Sequence, residues 1–319
     1  MFLAQSLKPE NKFWKYIVGF VIVILGMFLG QLPLGIAVAV KSMTGGGRIP
    51  ETEEEMLRYL DLNLGLFLLL LSFAVALLAL FIVVKTIHNQ KFKEIVTSRA
   101  KVDWGRFFFA FVLWGTFSAA TTVLFYFIDP ESFVLQFNLV PFLILAAIAI
   151  VMIPIQTSLE ELLFRGYLMQ GFAGLARNRW VPLLVTSIGF GALHLANPEV
   201  GKMGYIVSVY YIGTGLFLGI LTLMDEGTEL ALGFHAANNL IAALLVTADY
   251  SALQTYSVFK DISEPSAGWD IFIPLLVIYP ILLLIFSKKY GWHSWKEKLT
   301  GRVEPLPDVT VNQTLTGDE

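Results

Sequence analysis

The feature that most constrains this chain is a series of uncharged apolar runs long enough to cross a lipid bilayer. A membrane-crossing helix needs roughly 17–25 mostly apolar residues. Gly65–Val84 and Phe107–Ile128 meet that length without a single charged side chain. The bilayer core offers no water to unpaired backbone groups, so such runs fold as helices. Composition agrees. Of the 319 residues 56% are hydrophobic and 15% charged, where soluble chains carry about 25% charged residues. Mean hydropathy is +0.69. An ordinary soluble domain and a disordered chain are both excluded.

Eight spans are expected, giving an all-α, polytopic membrane fold. They are Tyr16–Val40, Gly65–Val84, Phe107–Ile128, Leu139–Leu159, Trp180–Ala196, Tyr205–Met224, Leu230–Thr247 and Ile271–Ser287. The first is about twice the length of a secretory h-region and is read as a retained span. Lys and Arg are split unevenly among the connecting segments. One alternate set, which includes both tails, holds 16 of the 22; the other holds 5, and Arg165 lies in the membrane region. That asymmetry predicts an even number of spans with both termini in the cytoplasm. The expected division is residues 1–138 as three N-terminal spans, 139–250 as the core, and 251–319 as an outer loop, the last span and a polar tail. The segments Thr44–Asp61 and Tyr250–Gly268 read as solvated outer loops, and the tail after Lys298 as mobile.

The net charge of −3 and the absence of Cys narrow the chemistry. No nucleic-acid partner is expected, since phosphate binding needs a basic face. Thiol catalysis, disulfides and Cys-held metals are excluded. No internal repeat supports an inverted-repeat carrier.

Ionisable groups inside a bilayer are costly and mark function by default. Here they fall between residues 160 and 239: Glu160, Glu161, Arg165, His194 and His235, with Asn238 and Asn239 as polar companions. His88 and His293 sit in basic segments and read as solvated. Glu161 and Arg165 are four apart, which puts them on one helix face as an ion pair. Glu160 points about 140° from Arg165 and is free for another task. The plainer alternative is that the three charges end the fourth helix at the interface. Phe190 and His194, and His235 and Asn239, repeat the four-residue spacing. A carboxylate, two imidazoles and an amide are a hydrolase inventory: a base for water, a proton carrier and donors for an oxyanion.

Glu160-Glu161-x-x-x-Arg165, Phe190-x-x-x-His194 and His235-x-x-x-Asn239 resemble, in order, the three motifs of the CPBP intramembrane proteases. That family includes the type II CAAX prenyl endopeptidases and bacterial proteins named for bacteriocin processing and self-immunity. The resemblance spans roughly residues 139–250. It implies a helical membrane peptidase with a cavity opening to the cytosol, sited in a bacterial plasma membrane. It implies Glu160 as the residue that activates water, His194 as its partner, and His235 and Asn239 as the oxyanion hole. Glu161, Arg165 and Phe190 would be supporting residues. The implied substrate is a hydrophobic or lipid-modified peptide or protein among membrane lipids.

A zinc site on Glu160, His194 and His235 is the alternative to a metal-free scheme. A His-x-x-x-Asn helix is not the His-Glu-x-x-His zinc helix, and the metal-free scheme is favoured. Two other functions compete: a non-catalytic scaffold or immunity-type binding protein, and, ranked last, a proton-coupled carrier. The span limits place His194 late in one helix and His235 early in another, several turns apart in depth if both helices stand upright.

Overall fold

The computed structural model describes residues 1–8, 11–45, 50, 55, 58–265 and 267–305. All eight expected spans are helical. In chain order the helices are α1 Phe13–Gly45, α2 Leu62–Thr86, α3 Trp104–Ile128 and α4 Leu139–Glu161. A π-helical stretch, Leu162–Leu168, joins α4 to α5, Met169–Ala176. Then follow α6 Trp180–Leu193, α7 Pro198–Met203, α8 Val207–Asp225 and α9 Glu229–Leu245. The last group is α10 Trp269–Ile273, a π-helical turn Pro274–Ile278, α11 Tyr279–Tyr290 and α12 Trp295–Thr300.

Six of these helical segments are long and apolar enough to cross a membrane, and the chain is an integral membrane protein. Their outer faces carry large exposed apolar side chains, such as Phe28 and Leu32 on α1 and Ile281 and Leu284 on α11. Water would not tolerate such faces; acyl chains match them. The segments Trp180–Ala196 and Glu229–Leu245 are shorter, at 17 residues each. That is about 26 Å of helix against a hydrocarbon core of about 30 Å.

The connecting segments gather at two opposite ends, in the alternation the charge count predicts. One end centres on the short α8–α9 link. Asp225 Oδ2 accepts from Arg99 Nη2 at 2.8 Å and from Arg106 Nε at 2.9 Å. Glu229 Oε2 accepts from Arg99 Nη1 at 3.1 Å. Glu226 takes Lys298 Nζ at 2.5 Å, Arg179 Nη1 at 3.4 Å and the Phe2 backbone N–H at 2.5 Å. The N-terminal tail, the second, fourth and sixth connections and the C-terminal segment therefore share this end.

At the other end strand β1 (Phe133–Leu135) pairs antiparallel with β3 (Phe259–Asp261), which pairs parallel with β2 (Val246–Ala248). Tyr256 donates to Asp61 at 2.9 Å, Arg58 pairs with Asp249, and Glu199 accepts from the Ala252 N–H at 2.8 Å. Both short helices run from one end to the other.

Several expectations need correction. His88 is buried, at 1% exposed, with Nδ1 3.0 Å from Asn11 Oδ1 and Nε2 2.8 Å from the Tyr167 hydroxyl. The segment after Tyr250 is not simply a solvated loop, because it supplies β3. The tail is packed through Val303, which is 3% exposed beside Phe2 and Leu183; residues 306–319 lie outside the described residues. So do the Gly triplet in part and most of the acidic cluster of Thr44–Asp61. The charges at 160–165 do not end a helix: helical backbone continues to Ala176.

Candidate active site

The site lies where α4, α6 and α9 meet. Glycines let the neighbouring helices α3 and α8 approach two of them. A Cβ on Gly233 of α9 would stand 2.1 Å from the Phe107 carbonyl oxygen of α3. Only glycine admits that contact, and it sets the position of His235 two residues on. A Cβ on Gly215 of α8 would stand 3.0 Å from the Ser187 oxygen of α6.

Arg165 and Glu161 are both 0% exposed. Arg165 Nη1 donates to Glu161 Oε1 at 2.9 Å, and Nη2 to the Gly215 carbonyl at 3.1 Å. The guanidinium also lies 4.2 Å from the Phe190 ring centroid, a cation–π contact. A buried pair is tolerated when further hydrogen bonds satisfy it, and His235 supplies one. Its Nδ1 lies 2.7 Å from the same Glu161 oxygen. A carboxylate oxygen only accepts, so His235 Nδ1 carries the proton. The ring's other nitrogen, Nε2, lies 3.5 Å from Glu160 Oε2. His235 thus stands between the two adjacent carboxylates.

Glu160 differs from its neighbour. Its side chain keeps 17% exposure. Oε1 accepts from Gln156 Nε2 at 2.5 Å; Oε2, like Oε2 of Glu161, has no hydrogen-bond partner among the described residues, but it is the one that faces His235 Nε2. Gln156 Oε1 in turn accepts from Asn239 Nδ2 at 3.1 Å. The first and third motifs are therefore joined twice, by Glu161–His235 and by Glu160–Gln156–Asn239.

His194 is set one ring further out. It closes α6, with Nδ1 2.7 Å from the Phe190 carbonyl oxygen. A carbonyl only accepts, which leaves Nε2 as the free lone pair of the neutral ring. The ring stacks on Tyr211 at 4.5 Å and packs on Phe190 at 4.5 Å, and Phe190 lies 6.0 Å from His235. Phe190 spans the depth difference that the span limits implied, and the two imidazoles are not in contact.

Among the described residues no three His, Asp or Glu side chains converge as a metal set. Glu160, His194 and His235 do not come together as such a set in this structure.

Sequence reasoning missed Gln156, Tyr211 and the π-helical stretch. Gln156 was within reach, since it lies four residues before Glu160 on the same face. Tyr211 comes from α8 and carries no local signal. The π turn widens the helix directly after the carboxylate pair, a placement common at functional sites.

Residues 137–241 match the family model described as type II CAAX prenyl endopeptidase Rce1-like. The chain carries an Rce1-like domain. This Rce1-like segment holds all three motifs, and its family is one of proteases. A relative of similar length is the uncharacterized protein YyaK of Bacillus subtilis (strain 168). It is 27% identical over 295 residues, covering 92% of this chain and 96% of that protein. No solved structure matches the chain.

Proposed function

We propose that this chain is an intramembrane endopeptidase that hydrolyses a peptide bond in a hydrophobic or lipid-modified peptide or protein, with Glu160 as the base for water. The observation that carries the reading is the placement of His235, oriented by Glu161 on one side and facing the unbonded Glu160 oxygen on the other. The Rce1-like match supports the reaction class.

The water oxygen bonds to the substrate carbonyl carbon as Glu160 takes its proton. The carbonyl electron pair moves onto oxygen, where the remaining Asn239 amide N–H and the Nε2–H of His235, its ring protonated on both nitrogens between the two carboxylates, donate to it. The C–N bond then breaks, and the amine leaves with the proton from Glu160. His194 holds the water through Nε2. Peptide and water become acid and amine, and Glu160 returns to its ionised form. Residues 139–250 are the catalytic core. The relative in Bacillus supports placement in a bacterial plasma membrane, and the Lys and Arg excess at the ionic end supports that end in the cytoplasm.

The test is digestion of a peptide library by the purified protein in detergent, read by mass spectrometry beside Glu160→Gln. Cleavage by wild type alone is expected; equal products from both would remove Glu160 from the mechanism. Full activity in a chelator is expected as well, and loss restored by zinc would reverse the metal-free scheme.

A further inference from the structure

Glu160 is the last member of a hydrogen-bond chain that crosses three helices. Trp114 Nε1 on α3 donates to Asn238 Oδ1 at 3.0 Å. Asn238 Nδ2 donates to Asn239 Oδ1 at 3.1 Å. Asn239 Nδ2 donates to Gln156 Oε1 at 3.1 Å, and Gln156 Nε2 to Glu160 Oε1 at 2.5 Å.

Amides can be turned end for end, so a run of three has no direction of its own. Its two ends supply one. An indole N–H can only donate, and an ionised carboxylate can only accept. With Trp114 at one end and Glu160 at the other, each amide has a single orientation that satisfies every bond. Turning any one of them would set donor against donor or acceptor against acceptor. Trp114 is 7% exposed and Gln156 6% exposed, so neither readily replaces a lost bond with water. Bonds aligned head to tail polarise one another.

We propose that Trp114, Asn238 and Gln156 are positioning residues. Their chain locks Glu160 on its Oε1 side, which directs Oε2 toward His235, and it orients the Asn239 amide so that a donor faces the substrate carbonyl. One polarised chain thereby aligns the base and the oxyanion donor together. The catalytic part rests on the endopeptidase reading; the direction of the chain does not.

The experiment uses full-length protein labelled with 15N in its indoles. The Trp114 signal among the seven tryptophans is assigned by its loss in Trp114→Phe. Gln156→Met offers Asn239 only a weak sulfur acceptor, so the Trp114 indole N–H should move upfield although Gln156 does not touch it. Gln156→Glu, of equal size, is a stronger acceptor when ionised and should move the signal downfield.

Both variants should lower kcat about tenfold or more, with KM changed less than about twofold. Trp114→Phe should add nothing to the loss in Gln156→Met, because both break one chain. An unmoved indole signal in either folded Gln156 variant, or losses that multiply, would overturn the proposal. Shifted signals in the variants, with a wild-type protein that cleaves nothing, would uphold the chain and overturn the endopeptidase reading instead.

Discussion

Glu161 Oε1 and His235 Nδ1 lie 2.7 Å apart, joining α4 to α9 at the centre of the bundle. The same oxygen holds Arg165 at 2.9 Å. One atom therefore ties a guanidinium from its own helix to an imidazole from another. Glu161 is not a spectator beside Glu160: it selects the ring nitrogen that His235 presents to the site.

Removing Glu161 should be costly for that reason. Glu161→Ala leaves the fully buried Arg165 without its carboxylate, and breaking such a pair costs about 3–5 kcal/mol. Glu161→Gln keeps an acceptor for His235 Nδ1–H but removes the charge, and should be the milder change. Thermal unfolding in detergent is the measure, and equal midpoints for wild type and Glu161→Ala would contradict this account of the pair.

The proposed oxyanion donors should act on rate and not on binding. His235→Ala and Asn239→Ala are each expected to lower kcat about 10²–10³-fold with KM little changed. Steady-state kinetics on any peptide found in the library digest would check this. A rise in KM at constant kcat would mean that these residues bind substrate in its ground state.

Acid should destabilise the fold through His88. Burial favours the neutral imidazole, the Lys15 ammonium adds to this, and the pKa falls from 6.5 to about 4. Between those values the unfolded chain binds a proton that the folded chain does not. The contribution is whole above pH 6.5 and is lost as pH falls toward 4, by about 3 kcal/mol there. His88→Gln has no proton to gain. The stability difference between wild type and this variant should therefore shrink from pH 7.5 to pH 4.5, and a difference that stays constant would rule out the imidazole as the source.

Sidedness can be read without background, because the chain has no Cys. Ala100 and His293 are exposed at the ionic end, and Glu131 is exposed at the sheet end. In sealed inverted vesicles, an impermeant maleimide should label Ala100→Cys and His293→Cys but not Glu131→Cys. Labelling of His293→Cys and Glu131→Cys from one side would break the eight-crossing arrangement.

Much of this molecule was legible beforehand. The span limits agree with the helices to within a few residues in most cases, because a bilayer demands the same long uncharged run wherever a helix crosses. The Glu161–Arg165 pair was legible because it is local, four residues along one helix. The depth of His194 relative to His235 was not, because it depends on how two short helices pack around the Phe190 ring. His88 was misread because a basic neighbourhood in sequence does not reveal that Tyr16 and Tyr167 enclose the ring in space.

By itself the sequence determined the solvent, the helical fold class, the order of the motifs and the spacing of side chains along each helix, all of which follow from local periodicity and the exclusion of charge from lipid. Only the tertiary structure decided which carboxylate binds His235 Nδ1, which one faces its Nε2, and that Gln156 lies between Glu160 and Asn239. Those facts depend on the close approach of α3, α4 and α9, and contacts between helices distant in sequence are set by packing that no single segment encodes.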